Sequence, residues 1–311
     1  MSLCAGGYQG QASILTASMH ELCATLIAQG GPWAGLVFTP NVTAQGESAQ
    51  SLFDSVEQGR RHLCYMASGY LSHRVSELNI LDLPFAHAQR EAFFDALDAQ
   101  GGVALAEAVA RKTGFRVLGF WDNGQRHVTN AVRPVRSPTD AQGLRLRTLD
   151  SALYRRSLQA MGFEAMTCDV KDLVSWVAQG VVHAQENPLT NYLGFELWRH
   201  HRYVSLTGHF RGALLLVCPE HWYQALPREH QDQLNQAAAQ ATQRQRERAA
   251  GEDARALQRL SELDIELLGP NDLDLTAFQH SVRDVQRDVL QTDRKSTRLN
   301  SSHITISYAV F

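Results

Sequence analysis

Apolar and polar positions along this chain switch repeatedly between a strand rhythm and a helix rhythm. "GLVFTP" at 35–40 is short and β-rich, and "ESAQSLFDSVEQGRR" from 47 places Leu52, Phe53 and Val56 at helical spacing. "HLCYMAS" from 62 predicts the next strand. The stretch 89–113 predicts helix with a break at Gly101-Gly102, and "FRVLGFW" at 115–121 a further strand. Beyond "RPVRSP" the alternation resumes. "LRLRT" predicts a strand, Ser151 caps "ALYRRSLQAMG", a strand lies near 163–168, a helix at 171–179, and "VVHAQ" is a strand again. "YVSLTGH" and "GALLLVC" predict two more short strands. Residues 228–262 form the longest helical pattern, interrupted near Gly251, and a helix of that length suits a tie lying across two lobes.

This alternation predicts an α/β protein, and 311 residues are enough for two lobes that each bury a core. A segment of different character begins at 293, "DRKSTRLNSSHITISYAVF", polar and Ser-rich before a lone β-like run. It is read as a non-native or disordered tail over 293–311 and set outside the fold. A net charge of −3 gives no pull toward nucleic acid or anionic lipid, so neither is an expected partner. The longest aliphatic run, within "GALLLVC", is too short to span a bilayer. The start, "MSLCAGGYQG", lacks the basic and apolar regions of a secretory signal, which predicts a cytoplasmic chain or a mature or truncated form. Five cysteines without Cys-x-x-Cys spacing predict buried free thiols rather than disulfides or a zinc site.

The common catalytic signatures are missing. The chain has no Gly-x-Gly-x-x-Gly, no phosphate loop, no Gly-x-Ser-x-Gly and no His-Glu-x-x-His, since His20-Glu21 is followed by Leu-Cys-Ala. His200-His201 and His209 lack a carboxylate or cysteine at matching spacing, so no metal and no cofactor is expected. What remains is a set of basic and amide groups near strand ends. Arg126 lies in "WDNGQRHVTN" just after a strand, Arg145 and Arg147 share one face of "GLRLRT", and Asn187 ends the strand in "VVHAQENPLTN". An arginine turned into a cleft grips a carboxylate with two charge-assisted hydrogen bonds. Spacing alone favours ion pairs at the surface or between lobes for these arginines. Asn187 precedes Pro188 and a helical "LTNYLGFEL", which predicts an N-cap at a helix end that also favours anions.

"LDLPF" at 81–85, "NGQRHVTNAVRPVRSP" at 123–138, "GLRLRT" at 143–148, "GVVHAQENPLTN" at 180–191, and "LTGH" followed by "LLLVCPEHWYQALP" resemble, in order and spacing, the DctP-like solute-binding proteins of TRAP transporters. The resemblance covers roughly 8–290. It implies a two-lobed periplasmic-binding-protein fold of type II-like form, with mixed sheets flanked by helices, a hinge cleft and a long helix spanning both lobes. It also implies capture of a small organic acid and delivery to a separate membrane permease driven by an ion gradient, in the periplasm, by a monomer that is not an enzyme. Lobe I is expected over 8–124 plus 210–250 and lobe II over 125–209 plus 251–292.

Residue by residue, the resemblance gives Arg147 the carboxylate grip, Arg126 a second basic position, and Asn187 an amide on the same carboxylate or a neighbouring hydroxyl. His209 falls near the cleft where the chain crosses between lobes, and Tyr65 and Ser68 in a first-lobe stretch of substrate-specific contacts. Glu186 is expected to orient Arg147 or another basic neighbour. The chain departs from the family pattern at His183-Ala184, where many members have Asp-Gly, and at Val170, where sialic-acid binders place an aromatic. Two other readings remain open: a ligand-sensing partner of a signalling protein, and an enzyme on small carboxylates with His209 or His183 as base.

Overall fold

A computed structural model describes residues 3–299. The strands are β1 Cys4–Gly6, β2 Val37–Thr39, β3 Leu63–Ala67, β4 Phe115–Asn130, β5 Arg145–Thr148, β6 Glu164–Thr167, β7 Ala184–Pro188, β8 Tyr203–Pro219 and β9 Glu266–Leu268. They form one mixed hydrogen-bonded path in the order β2-β1-β3-β8-β4-β7-β5-β6, with β9 paired to β8. β4 and β8 are the reason the path is continuous, because these two long antiparallel strands run through both lobes.

Here the structure corrects the sequence reading. "YVSLTGH" and "GALLLVC" are one 17-residue strand, not two. Arg126 lies inside β4, which continues 16 residues through Asn130 instead of ending at 121. The appearance of two strands comes from Gly208, at φ +55 between Ser205 and Phe210, where the pairing of β8 with β4 is interrupted and the Gly208 N–H donates to His127 Nδ1 at 3.0 Å instead. The register of β4 against β8 slips between Asp122 and Gln125 and again between Arg126 and Val128, with Gly124 at φ +80 in the first slip.

Each lobe has its own core. In the first, Leu214, Leu215, Leu216 and Val217 of β8 are all fully buried, since helices cover both faces of the sheet. That explains an apolar run with no alternation. In the second, Leu144 and Leu146 point into a cluster with Leu158, Phe163 and Phe278, so "LRLRT" alternates. A third cluster joins Leu173, Tyr192, Val204 and Leu260.

The long helix Arg228–Ala250 packs on the helix Ile14–Ala28 and on β4. It grips the strand just before the crossing. Gln245 brackets Asp122, accepting from its N–H and donating to its carbonyl at 2.8 Å each, and Arg246 Nε donates to Phe120 O. After Gly251 the chain restarts as Glu252–Leu260, which packs on Leu189–Gly194 in the second lobe. The tie between lobes is therefore a pair of helices broken at Gly251.

Three smaller differences follow. The helical stretch 89–113 breaks at Ala99, not at the glycines: Arg90–Asp98 ends there and Gln100–Lys112 begins. Gly102 is needed for close packing, because a Cβ on it would lie 1.8 Å from Leu97 O. The strand assigned to "VVHAQ" starts three residues later, at Ala184. The helix Arg283–Leu299 takes in the first residues of the segment set apart at 293, and the rest of that segment, 300–311, lies outside the described residues. No helix among the described residues is long and apolar enough to cross a membrane.

Candidate functional site

β5, β7 and the second half of β4 lie side by side, β5 parallel to β7 and β7 antiparallel to β4. Their polar residues therefore meet on one sheet. Arg147 pairs in register with Gln185, and Val128 with Glu186, which brings Arg147, Gln185, Glu186, Asn187 and Arg126 into one neighbourhood.

Arg126 is 2% exposed and bound by Glu186 on two sides, with Nε 2.5 Å from Oε2 and Nη2 2.8 Å from Oε1. Nη2 also donates to Glu186 O at 2.9 Å and to Asn187 Oδ1 at 3.3 Å. Thr148 donates its hydroxyl to Glu186 Oε1 at 2.6 Å. Burial alone raises a carboxyl pKa, but the Arg126 charge and its hydrogen bonds outweigh that and hold Glu186 down at about 2. The basic neighbour that Glu186 orients is Arg126, not Arg147.

His209 is fully buried on β8, its Nδ1 2.7 Å from Thr207 Oγ1 and its Nε2 3.6 Å from Glu186 Oε2, beyond hydrogen-bond length. Burial lowers its pKa despite the carboxylate beside it, so the ring is neutral at pH 7.

Arg147 differs from Arg126 in one respect that matters. It is also 2% exposed, yet its Nε and Nη2 both donate to a backbone carbonyl, Cys168 O, at 3.2 and 2.7 Å. Among the described residues no carboxylate lies within ion-pair distance of it. Its charge acts on the Tyr70 hydroxyl, which burial pushes up to about 12 while Arg147 opposes the rise. Tyr70 comes from the first lobe and packs on Phe53 and Tyr8, with ring centroids 5.2 and 6.4 Å away.

Asn187 is not the N-cap of the following helix. Pro188 takes that position, with no side-chain cap bond. The asparagine stays in β7, and its amide is consumed sideways: Nδ2 donates to Gln185 Oε1 at 2.6 Å, and Oδ1 accepts from Asn191 Nδ2 at 3.1 Å as well as from Arg126. The Asn-Pro step keeps the residue extended, which favours the strand over the helix.

The remaining first-lobe residues divide. Ser68 donates to Asp82 Oδ2 and Tyr154 to Asp82 Oδ1, both at 2.7 Å, and the Tyr154 ring lies 5.4 Å from the Arg126 guanidinium carbon. Ser68 is thus joined to the arginine cluster through a buried carboxyl. Burial lifts Asp82 to about 6 against the hydrogen bonds of Ser68 and Tyr154. Tyr65 is not joined in this way. It is fully buried between Tyr8 and Trp121, with its hydroxyl accepting from Tyr8 N at 3.3 Å.

Tyr70, Asp82, Tyr154 and the Cys168 carbonyl were missed by sequence reasoning. Asp82 alone carried a signal, as a lone acid inside the apolar "LDLPF". His183 and Ala184 stay apart from the cluster. The His183 ring accepts from Arg145 N at 3.3 Å, and Ala184 packs in the core of the second lobe. Arg145 spends its own guanidinium on the carbonyls of Val181 and Gly180. Val170 begins the helix Val170–Ala178 and packs against the first-lobe core, while Asp169 before it accepts from Ala49 N at 3.1 Å. The two lobes thus touch beside Arg147.

Known proteins resemble this chain in sequence and fold. The chain is 26% identical over 246 residues to the 2,3-diketo-L-gulonate-binding periplasmic protein YiaO of Escherichia coli (strain K12), covering 79% of this chain and 74% of that protein. Its fold matches a TRAP periplasmic solute binding protein from Sulfitobacter sp. NAS-14.1 with bound β-D-galacturonate, at TM-score 0.88 and 21% identity over 96% of this chain and 97% of that one. It also matches one from Sulfurospirillum deleyianum with bound succinate, at TM-score 0.83 and 22% identity over 93% and 97%. Residues 38–293 match the family profile along most of the chain, and the protein belongs to the bacterial extracellular solute-binding proteins of family 7, the DctP family.

Proposed function

We propose that this protein captures a small organic acid between its lobes, with Arg147 as the grip on the carboxylate, and passes it to a TRAP-type permease in the membrane. One observation carries the reading. Arg147 holds a buried positive charge with a carbonyl, and no carboxylate, within hydrogen-bonding reach among the described residues. A buried charge is costly unless paired, so such a guanidinium is primed for an anionic partner. The planar fork suits a carboxylate.

In this reading β5 and β7 fix the anion site, while Tyr70 and the loop around Ser68 bring the first lobe over it. The lobes are proposed as 8–124 plus 210–250 and 125–209 plus 251–292, hinged where β4 and β8 carry their bulges. Asn187 acts by holding Gln185, Asn191 and Arg126 in place as much as by touching the solute. Closure follows from the ligand's bonds to both lobes, which favour the closed population. Periplasmic location and a permease partner come with the family. The galacturonate and succinate of the two neighbours make sugar acids and short-chain acids the first compounds to try.

A thermal-shift screen of hexuronates, aldonates, keto acids and short-chain acids tests the proposal. At least one is expected to raise the melting temperature with saturable concentration dependence. No shift with any of them would count against an organic-acid cleft.

A further inference from the structure

We infer that Asp169 is a positioning residue that couples filling of the Arg147 site to closure of the lobes, its carboxylate capping one helix in each lobe at once. The inference rests on the carboxylate-binding reading above and adds to it a contact that holds the closed form together.

Asp169 precedes the helix Val170–Ala178 with extended backbone at φ −60 and ψ 151, and its Oδ1 accepts from Lys171 N at 3.0 Å. That is an ordinary N-cap within the second lobe. The second oxygen goes elsewhere. Asp169 Oδ2 accepts at 3.1 Å from the N–H of Ala49, 120 residues away in the first lobe, with Oδ1 3.4 Å from the same nitrogen. Ala49 opens the helix Ala49–Glu57, and a first-turn N–H has no partner inside its own helix. Ser48 caps that helix by accepting from Ser51 N, which leaves the Ala49 N–H to Asp169.

Charge favours the contact. Lys171 gives its ammonium to Asp172 at 2.8 Å, and among the described residues no cation lies within ion-pair distance of Asp169. The carboxylate therefore faces the positive end of the first-lobe helix without a competitor. Val170 packs against the first-lobe core, and the helix it begins rests on the turn Val42–Gln45. The residue before Asp169 completes the link, because Cys168 O accepts from Arg147 Nε and Nη2. Three consecutive residues thus run from the anion grip to the other lobe. The Tyr154–Asp82 bond and the 3.4 Å approach of Ser72 to Ser151 also bridge the lobes, but neither belongs to the segment that Arg147 holds.

Parting the lobes breaks the bond to Ala49 and spares the cap on Lys171, so two substitutions isolate it. Asp169→Ser keeps a good N-cap for its own helix while removing the charge and the second oxygen. Ala49→Pro removes the donor at a position where proline suits a helix, and Ser48, at φ −80 and ψ 160, already has the extended backbone that a residue before proline adopts.

Calorimetry and stopped-flow kinetics with D-galacturonate and with succinate measure the effect. Each variant is expected to bind whichever acid the wild type binds about five- to tenfold more weakly, through faster dissociation, and the double variant no more weakly than either single one. A cap with only a local role would leave dissociation from Asp169→Ser unchanged. Unchanged affinity in Asp169→Ser, or losses that add in the double variant, would overturn the inference and leave the carboxylate site standing. If Ala49→Pro does not fold, Asp169→Ser decides alone. Amide exchange at Ala49, followed by NMR, needs no ligand. Slow exchange in wild type that quickens about tenfold or more in Asp169→Ser supports the bridging bond, and equally fast exchange in both proteins overturns it. Failure of both acids to bind, with a silent organic-acid screen, would count against the organic-acid reading and leave the exchange result to decide this one.

Discussion

Arg126 and Glu186 form a buried pair across β4 and β7, with Nε 2.5 Å from Oε2, beside the register slip of β4 against β8. Pairing of this kind is tolerated because each charge meets the other. Removing one partner is a different matter. Glu186→Ala is expected to cost about 3–5 kcal/mol, since it leaves Arg126 buried and unpaired. The double variant Arg126→Met with Glu186→Leu is expected to recover most of that. Urea unfolding of wild type, Arg126→Met, Glu186→Leu and the double variant measures the coupling, and additive losses in the double variant would refute it.

The pair also fixes a pH dependence. Glu186 is held at about 2 in the folded protein against about 4.3 in an unfolded chain. An acid with a depressed folded pKa contributes stability that is fully present above its unfolded pKa. That contribution is lost as pH falls from about 4.3 toward 2.

Asp82 has the opposite sign. Its folded pKa of about 6 exceeds the unfolded value of about 3.9, so the folded protein keeps a proton that the unfolded chain gives up. Stability attributable to Asp82 therefore falls as pH rises from about 4 to 6 and is level above that, by on the order of 2–3 kcal/mol. Melting curves of wild type and Asp82→Asn between pH 4 and 8 should converge or separate over that window alone. Parallel curves across the whole range would show that Asp82 does not titrate there.

Gly102→Ala is expected to destabilise the fold by about 1–3 kcal/mol, although alanine is the better helix former. The added Cβ would meet Leu97 O at 1.8 Å, where the second helix starts against the first. Chemical denaturation measures the loss. A stabilised variant would mean that the close approach relaxes without cost.

Much of this fold was legible because strand and helix rhythms are local. "LRLRT" alternates because Leu144 and Leu146 face the apolar core while Arg145 and Arg147 lie on the polar face, and the helix from Ala49 announces itself through Leu52, Phe53 and Val56. The errors have tertiary causes. Gly208 reads as a turn, yet its positive φ is a bend inside one long strand, at the register slip between the β4 pairs of Ser205 and Phe210. Asn187 carries the local signature of a cap, but Gln185, Asn191 and Arg126 compete for its amide and win. The two arginines looked alike by spacing. Only the register of β4 with β7 reveals that Glu186 neutralises Arg126 and leaves Arg147 to a carbonyl.

The most direct test of the account is calorimetric titration of the best acid from the screen into wild type and Arg147→Ala. Losing a buried charge-assisted carboxylate contact typically costs about 2–5 kcal/mol, so affinity should drop at least thirtyfold. Removing the guanidinium also frees Cys168 O, so a stability loss of about 1–3 kcal/mol is expected while the circular dichroism spectrum stays native. A folded Arg147→Ala protein that binds the acid with unchanged affinity would contradict the account.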